Sequence, residues 1–518
     1  MPESPFWLVS LSNRPKATRI SKKIFIMEFC MEFHSYSPVC PFKSIDDIKN
    51  KNVTIMGLGL NGGGEAAVKF FLKKGANVLV TDMKTREQLQ QTIDRINADP
   101  SLDTSNLTYR LGEHCLEDFE NADCVIKNPG IKYEGNKFLA AAKAIETDLS
   151  IFLRFTDCPV IAVTGSKGKS STVSAIYYGL SKAGYKTFLG GNITVSPLSF
   201  FDEVSSDTPV VIEFSSWQLA DLRGRKVLKP HISLITKIVP DHQNWYGNME
   251  DYVADKRLIY ENQDEGDYSI FDAGPDEAGT GPDQNIHPGI KTWGDLFASE
   301  SKATVLRYDA DNPRYNLGNL LVPGKHMQTN AQNAALVMQL MNIPKEKIDQ
   351  ILCTWPGIDH RLQYFYSYKN SGGTEYKFYN DTCATVPQAA AAATQAFEKP
   401  VILITGGTDK GLDLEPLLLA LSNKLSYKVK QIYLLDGTAT QKMIPQLNAS
   451  KTDYYGPFNS LDELLRSLKS NIDNINNTNY IEENHEIVVF SPGATSFGMF
   501  TNEFDRGNKF MAGVKSYF

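Results

Sequence analysis

Short runs of apolar, mostly β-branched residues recur along the chain, and most of them stop at a turn rich in glycine or polar residues. Such runs are typical of strands that are buried on both faces of a parallel sheet. The runs lie at residues 53–56, 76–80, 122–126, 160–163, 209–214, 232–239, 400–405 and 486–490. Helical patterns lie at residues 65–74, 249–262, 331–341 and 386–397. The alternation of strands and helices predicts an α/β protein built from parallel sheets.

The 518 residues exceed what one hydrophobic core serves, so we expect several domains. Breaks in the pattern place three domains at residues 49–156, 157–358 and 359–518. Residues 1–48 carry few acids and several basic residues, and we expect a disordered extension there. Residues 264–322 are rich in Asp, Gly and Pro, and only short strands are predicted within them.

Composition excludes several classes of protein. A net charge of −7 argues against a general nucleic-acid binder. No apolar run reaches the roughly 18 residues of a membrane span. The seven cysteines are scattered and show no C-x-x-C spacing, which favours a reducing compartment and argues against a structural zinc site.

The strand at residues 160–163 leads into a loop, residues 164–171, with the sequence Thr-Gly-Ser-Lys-Gly-Lys-Ser-Ser. Its glycines let backbone N–H groups approach an anion, and the helix that follows turns its positive end toward that anion. In this pattern Lys169 reaches the terminal phosphates of a nucleotide, and Ser170 holds Mg²⁺. The strict pattern requires glycine where the chain has Val163, so the sequence predicts a shortened phosphate-binding loop.

A second glycine-rich turn, residues 57–64, follows the first strand, and Asp82 lies at the end of the second strand. This arrangement is typical of a β-α-β unit that binds a nucleotide or a phosphosugar. The alternative is that the glycines only let the helix pack closely on the sheet.

Polar residues also end later strands of the second predicted domain. Glu213 ends one strand, and His242 follows another. Because the ends of parallel strands meet at one edge of a sheet, we expect both side chains to reach a metal ion bound to the phosphates. Lys256 falls within the predicted helix at residues 249–262, and its spacing alone predicts a solvated lysine.

The third predicted domain has charged and hydroxyl residues in the turns that end its strands. These turns lie at residues 380–385, 406–411 and 491–497. Side chains at such positions are candidates for a binding site, although each turn taken alone fits ordinary turn chemistry almost as well.

Taken together and in this order, the motifs closely resemble those of the Mur ligases of peptidoglycan synthesis over about residues 51–518. The matching motifs are residues 164–171, 191–193, 213–219, 241–242, 254–260, 324–326, 360–361, 381–385, 406–410 and 491–497. The resemblance implies an N-terminal Rossmann-like domain, a central P-loop ATPase-like domain with a parallel sheet, and a C-terminal Rossmann-like domain.

The resemblance also implies an ATP-dependent ligase that joins glutamate, with the D isomer favoured, to the carboxylate of UDP-N-acetylmuramoyl-L-alanine through an acyl phosphate. The implied catalytic residues are Lys169, His242 and Lys256. The protein would be a cytoplasmic monomer with no nucleic-acid partner and no membrane insertion.

The implied site residues form three groups. The ATP-binding residues are Gly165, Ser166, Lys167, Gly168, Lys169, Ser170, Ser171, Asn330, Arg361 and Asp381. The substrate-binding residues are Gly59, Leu60, Asn61, Asp82, Asn128, Gly130, Asn192, Lys410, Ser496 and Phe497. The ligands of two Mg²⁺ ions are Ser170, Glu213, His242 and a carbamylated Lys256.

Three alternatives stay open. The chain has Cys383 where the family commonly has a lysine that grips the glutamate side chain, so addition of L-glutamate is one alternative. A P-loop NTPase that acts as a switch without ligase activity is another, although it leaves the turn at residues 406–410 without a purpose. An NAD(P)-dependent dehydrogenase would use the first glycine-rich turn for its cofactor.

Overall fold

The computed structural model describes residues 39–60, 62–193, 195–315, 317–318, 320–422, 429–474 and 485–518 of the chain. They form three sheets with helices packed on them, which confirms the predicted three-domain α/β fold. The domain boundaries themselves stay predictions. The predicted substrate residue Asn61 lies outside the described residues, and so do residues 1–38 of the expected extension.

The first sheet is entirely parallel. The elements of its domain are β1 Asn52–Met56, α1 Gly63–Lys73, β2 Asn77–Asp82, α2 Arg86–Asn97, β3 Leu107–Leu111, α3 Glu117–Glu120, β4 Cys124–Lys127, α4 Lys137–Ala140, β5 Ile145–Glu146 and α5 Asp148–Phe155. The strand order is β3-β2-β1-β4-β5. The order reverses between β1 and β4, and the C-terminal ends of these two strands are therefore the expected ligand crevice.

The residues just before β1 belong to the first domain. A 3₁₀ helix spans Ile45–Ile48, and Phe42 is buried in the same hydrophobic core as Val53 and Phe71. The described part of the expected extension is therefore ordered, because its apolar side chains pack onto the first sheet.

The second sheet is also parallel. The elements of its domain are β6 Val160–Thr164, α6 Lys169–Ala183, β7 Phe188–Gly191, a 3₁₀ helix Pro197–Glu203, β8 Val210–Glu213, α7 Ser216–Ala220, β9 Ile232–Ile235, α8 Gln243–Tyr246, α9 Met249–Arg257, β10 Tyr268–Asp272, α10 Trp293–Glu300, β11 Thr304–Tyr308, α11 Lys325–Leu340 and α12 Lys345–Leu352. The strand order is β11-β10-β9-β6-β8-β7. Every residue of β6, β8 and β9 is buried, as expected for strands that are covered on both faces.

Residues 264–322, in which the sequence predicts only short strands, contain two strands of this sheet and the helix α10. The buried side chains of α10 include Trp293, Leu296 and Phe297, which follow the helical spacing. The pattern extends over only two turns, however, so it does not distinguish a helix from a turn. The helix predicted at residues 249–262 ends earlier, at Arg257.

The third sheet is mixed. The elements of its domain are β12 Gln363–Lys369, β13 Glu375–Asn380, α13 Pro387–Gln395, β14 Val401–Gly406, α14 Glu415–Leu421, β15 Val429–Leu435, α15 Thr438–Ala449, β16 Tyr455–Phe458, α16 Leu461–Asn474, β17 His485–Phe490 and α17 Glu503–Tyr517. The strand order is β12-β13-β17-β14-β15-β16, in which β12 runs antiparallel to β13 and the other neighbours are parallel. Across the described residues, no helix combines the length and the apolar character that crossing a bilayer requires.

Two buried ion pairs join the first domain to the second. Lys127 Nζ lies 2.8 Å from Asp221 Oδ2, and Arg225 Nη1 lies 2.9 Å from Glu146 Oε1. All four side chains are at most 5% exposed. Arg225 also donates hydrogen bonds to the carbonyl oxygens of Asp221 and Ile145. Buried charges need partners of this kind, so the pairs fix how these two domains meet.

We expect Arg225→Ala to lower the free energy of unfolding by roughly 3 kcal/mol, because it removes the closer cation from the buried carboxylate of Glu146. Urea denaturation followed by circular dichroism measures the change. Lys229→Ala breaks an exposed ion pair with Asp264 and is the matched control, which should leave the midpoint nearly unchanged. Equal effects of the two substitutions would contradict this role for Arg225.

Candidate active site

The predicted phosphate-binding loop connects β6 to α6 at the centre of the second sheet. Thr164 ends the strand, and the helix begins at Lys169, directly after Gly168. Gly168 has a φ of +92°, and a Cβ atom there would lie 2.5 Å from Asn330 Oδ1 on α11. The close approach of α11 to the loop therefore requires glycine at this position. The structure thus places Asn330, predicted to bind ATP, directly against the loop.

The carbonyl oxygen of Gly165 accepts hydrogen bonds from two lysines. Lys169 Nζ donates at 3.0 Å and Lys256 Nζ donates at 2.9 Å. Lys169 also donates to the carbonyl oxygen of Ser166 at 3.1 Å. Positive charge on both amino groups would be repulsive at this separation, so the arrangement favours an anion beside them or the loss of a proton from one of them.

Lys256 is only 2% exposed, so the solvated lysine predicted from helical spacing is wrong. The reason is tertiary: α9 packs against the loop, and Tyr252 Oη on the same helix donates to Ser166 Oγ at 2.9 Å. Burial, reinforced by the positive charge of Lys169, lowers the pKa of Lys256 well below its ordinary value. Burial also lowers the pKa of Lys169, although the negative charge of Glu213 opposes this effect. Lys256 is therefore biased toward a neutral amine.

Glu213 ends β8 beside these lysines, and its side chain is only 1% exposed. Its Oε1 accepts a hydrogen bond from Asn192 Nδ2 at 2.8 Å, whereas its Oε2 is buried with no hydrogen-bond partner among the described residues. The turn that carries Asn192 needs glycine at position 191, where φ is +97° and a Cβ atom would lie 2.2 Å from the Glu213 carbonyl oxygen. An unpartnered buried carboxylate oxygen is unfavourable, and a bound Mg²⁺ would satisfy it.

His242 lies in the segment between β9 and α8, which leaves the sheet at the edge where β8 ends with Glu213. It has a φ of +53°, and its ring centroid lies 4.9 Å from that of Trp217 and 6.2 Å from that of Tyr252. Within the described ranges, no three His, Cys, Asp or Glu side chains are grouped so that they could hold a metal ion. A metal ion at Glu213 would therefore take other oxygen ligands as well, from phosphate, water or the hydroxyl of Ser170.

The other predicted residues of the loop have different surroundings. Ser170 is exposed and Ser171 is half-buried on the first turn of α6. Ser166 Oγ instead accepts a backbone hydrogen bond at 3.1 Å, so this hydroxyl supports the shape of the loop. Lys167 is exposed, and its Nζ lies 3.0 Å from Asp241 Oδ2.

Three turns converge at the C-terminal edge of the third sheet. They are residues 381–385, 407–411 and 491–497, which follow the neighbouring strands β13, β14 and β17. Lys410 Nζ donates to Thr385 Oγ1 at 3.1 Å, and Gly493 N donates to the carbonyl oxygen of Ala384 at 2.9 Å. The predicted amino-acid-binding residues thus gather on the third domain, separately from the lysine pair of the second.

The predicted residues of this edge differ in exposure. Ser496 is buried, whereas Lys410, Phe497 and Arg361 are exposed. Cys383, which occupies the position of the family's lysine, is half-buried, and burial raises the pKa of its thiol. Lys410 is therefore a cation at this edge that is accessible to an incoming carboxylate.

Asp381 is held by two donors. Its Oδ1 accepts from Leu362 N at 3.1 Å, and its Oδ2 accepts from Ser491 Oγ at 2.6 Å. Burial raises the pKa of Asp381 to about 6, although these hydrogen bonds and the positive charge of Arg361 act in the opposite direction.

Arg506 is a residue that sequence reasoning missed. It is fully buried on α17, where its Nε donates to Thr382 Oγ1 at 2.9 Å, its Nη2 to the Thr382 carbonyl at 2.9 Å and its Nη1 to the Ala494 carbonyl at 3.0 Å. It therefore ties together the turns that carry Asp381 and Ser496. Its position in a helix far along the chain gives no signal in the sequence.

The first domain has a pocket of about 710 Å³ at the C-terminal ends of β1 and β4. Of the predicted substrate residues, Gly59, Asp82, Asn128 and Gly130 line it. The carboxylate of Asp82 accepts the backbone N–H of Gly59 at 3.1 Å, which shapes the glycine-rich turn. Leu60, by contrast, is 55% exposed and does not line this pocket.

His114 also lines this pocket and was missed. Its Nδ1 lies 2.7 Å from Thr81 Oγ1, and its ring packs edge-on against Phe119 and Phe138. Burial lowers its pKa, which favours the neutral imidazole. His114 follows the end of β3, so the rule that strand ends carry site residues would have found it had the strand at residues 107–111 been recognised.

A family model described as "Mur ligase middle domain" matches residues 163–338, and one described as "Mur ligase MurD-like, N-terminal domain" matches residues 51–148.

The chain is similar to a UDP-N-acetylmuramoylalanine–D-glutamate ligase of Treponema pallidum (strain Nichols), with 37% identity over an alignment 565 positions long, which covers 91% of this chain and 98% of that protein. It is 38% identical over 488 residues to a protein of the same name from Borreliella burgdorferi (strain ZS7), covering 90% of this chain and 98% of that protein. The crystal structure of the UDP-N-acetylmuramate-alanine ligase MurC from Thermotoga maritima shares the fold, with a TM-score of 0.50 and 16% identity over 90% of this chain and 100% of that chain.

The raised pKa of Asp381 predicts that the free energy of unfolding of the wild type depends on pH. The variant Asp381→Asn, whose amide has nearly the same shape but does not titrate, should lack this dependence. The folded state holds the proton up to a pH of about 6, whereas the unfolded chain releases it near the ordinary value of 3.8. Stability therefore falls as pH rises between these values, by an amount on the order of 3 kcal/mol. Urea denaturation of wild type and Asp381→Asn across pH 4 to 8 checks this. The variant should gain stability relative to wild type as pH rises, and a constant difference would contradict the raised pKa.

Proposed function

Since the chain belongs to the Mur ligase family, we propose that it joins D-glutamate to the carboxylate of UDP-N-acetylmuramoyl-L-alanine, with cleavage of ATP to ADP and phosphate. The proposal rests on the family and on the second-domain site. It places the protein in the synthesis of peptidoglycan precursors, in the cytoplasm and as a monomer.

The observation that carries the proposal is the buried oxygen Oε2 of Glu213, which has no hydrogen-bond donor in the part of the chain that the structure describes, beside the two lysines that share the Gly165 carbonyl. In a turn that only stabilises the fold, a buried carboxylate oxygen would be expected to accept a hydrogen bond. A cation together with a polyphosphate satisfies the arrangement, because the cation meets the carboxylate of Glu213 and the phosphates meet Lys169.

The reaction overcomes the inertness of a carboxylate toward an amine. Transfer of the γ-phosphoryl group of ATP to the carboxylate of the sugar nucleotide forms an acyl phosphate and ADP. The glutamate amine then attacks the acyl carbon, the amide bond forms and phosphate leaves. Phosphoryl transfer depends on positioning and charge cancellation, and Lys169 supplies positive charge at the loop.

Mg²⁺ would supply further charge cancellation, held by Glu213 with Ser170 and His242 as additional predicted ligands. We propose two ions, of which a carbamylated Lys256 holds the second. Lys256 fits this role because it is buried beside the loop and biased toward the neutral amine that adds to carbon dioxide.

The third domain supplies the amino-acid site. Lys410 offers an exposed positive charge next to Thr385, and Ser496 lies on a neighbouring turn, so both meet the incoming amino acid. Arg361 and Asp381 hold the adenosine side of ATP. The first-domain pocket binds the uridine diphosphate part of the substrate through Gly59, Asp82, Asn128 and Gly130.

The choice of the D isomer follows the names of the similar proteins, each called a D-glutamate ligase. Cys383 removes one family cation from the amino-acid site, and Lys410 remains to pair with a glutamate carboxylate.

Phosphate release tests the proposed reaction directly. With ATP, Mg²⁺ and UDP-N-acetylmuramoyl-L-alanine, purified protein should release phosphate when D-glutamate is present and not when L-glutamate replaces it. Lys169→Ala should lower this rate at least about 100-fold, because a charge contact made in the transition state is lost. Lys182→Ala, which removes an exposed lysine at the opposite end of α6, is the matched control and should retain most of the rate.

Release that ignores both glutamate isomers would instead indicate an NTPase without ligase activity. Release that requires L-glutamate would keep the ligase and reverse the isomer.

The carbamate on Lys256 has its own readout. Wild type supplied with ¹³C-labelled bicarbonate should show a carbamate carbon resonance that is absent from Lys256→Ala. Depletion of bicarbonate should lower the activity of wild type, and its return should restore it. A wild type that shows no resonance and keeps full activity without bicarbonate would refute the modification.

A further inference from the structure

An exposed indole lies between the first-domain pocket and the second-domain site. Trp245, on α8, is 39% exposed, and its ring centroid lies 5.1 Å from that of Trp217 on α7. Trp217 in turn lies 4.9 Å from the ring of His242. We call Trp217 and Trp245 the tryptophan pair. It forms an aromatic surface that begins at a predicted magnesium ligand and extends away from it.

The far end of this surface meets the first domain. Lys132 Nζ lies 4.5 Å from the centroid of the Trp245 ring, and Lys132 is exposed. The residue before it, Ile131, lines the first-domain pocket. Neighbouring residues therefore lead from Ile131 in the wall of the first-domain pocket, through Lys132 and the tryptophan pair, to His242.

The substrate of the proposed function has to cover the same gap. Its uridine diphosphate belongs in the first-domain pocket, with the diphosphate toward Ile131 and Lys132, and its carboxylate belongs beside Lys169 and Glu213, so the hexose lies in between. A hexose presents C–H groups on its ring face, which pack well on an aromatic ring, and its diphosphate attracts a mobile ammonium group. The tryptophan pair and Lys132 offer these two partners in the required order.

Trp217 also carries a hydrogen-bond donor that a ligand could use. Trp217 Nε1 is buried and has no hydrogen-bond partner among the residues that the structure describes. A buried N–H donor without an acceptor is unfavourable, and a polar substituent of a bound sugar would satisfy it.

We propose that Trp245, supported by Trp217, is a specificity-determining residue that packs against the hexose of the sugar nucleotide, and that Lys132 leaves the Trp245 ring on binding to pair with the diphosphate. This inference rests on the proposed function and assigns residues to the middle of its substrate. It explains why a large apolar side chain remains exposed beside a catalytic site.

Binding titrations with three ligands of increasing length test the assignment. The ligands are uridine, UDP and UDP-N-acetylmuramoyl-L-alanine, and isothermal titration calorimetry of the full chain measures Kd without turnover. Trp245→Ala should raise Kd for the full sugar nucleotide about tenfold and leave Kd for UDP unchanged. Lys132→Ala should raise Kd for UDP and for the sugar nucleotide by up to about fivefold and leave Kd for uridine unchanged.

Two further variants control for folding and for ring chemistry. Trp245→Phe keeps an aromatic face and should recover most of the affinity for the sugar nucleotide. Tyr177→Ala removes a similarly exposed aromatic residue, 38% exposed on α6, and should change none of the three Kd values. Kd for ADP should stay at the wild-type value in Trp245→Ala, which shows that the phosphate loop is intact.

The inference is overturned if Trp245→Ala weakens UDP and the sugar nucleotide equally, or weakens neither. Its failure is distinct from failure of the proposed function, in which wild type itself would not bind the sugar nucleotide.

Discussion

Two lysine amino groups share one carbonyl oxygen, that of Gly165, at a buried point beside the carboxylate of Glu213. Amino groups held this close, beside a carboxylate oxygen that no donor among the described residues satisfies, form an arrangement completed by an anion and a cation. The positions of the loop, of α9 and of the turn that carries Asn192 all serve to hold these three side chains together.

The topology of the second sheet explains how distant parts of the sequence reach this point. Because β8 and β9 flank β6, the phosphate loop, Glu213 and the segment that leads to His242 leave the sheet at the same edge. The third sheet repeats the principle with β13, β17 and β14, whose turns carry Asp381, Ser496 and Lys410. Since the two groups lie on different domains, ligase chemistry requires the second and third domains to bring their ligands together.

Hydrophobic runs and strand-end residues sufficed to predict the three-domain fold, the loop between β6 and α6 and the position of Glu213 at a strand end, because these features are local in the sequence. Lys256 shows where local reasoning stops. Its place on a helix predicts a solvated charge, but α9 packs Lys256 and Tyr252 against the loop, and only the resemblance to a family assigned Lys256 to the site.

His114 and Arg506 were missed for related reasons. His114 follows a short strand whose half-buried residues give a weak apolar signal, and Arg506 acts through backbone carbonyls of turns more than ten residues away in the sequence. Trp245 likewise becomes a candidate binding residue only through its contact with Lys132, which lies on the first domain. Contacts of this kind depend on tertiary packing, which periodicity does not encode.

Anomalous diffraction from a crystal grown with Mn²⁺ and ADP tests the central claim most directly, because Mn²⁺ takes the oxygen ligands that suit Mg²⁺. The account predicts an anomalous peak within bonding distance of Glu213 Oε2, with the diphosphate of ADP along residues 165–171. A peak only at other carboxylates, or a diphosphate bound away from Lys169, would contradict it.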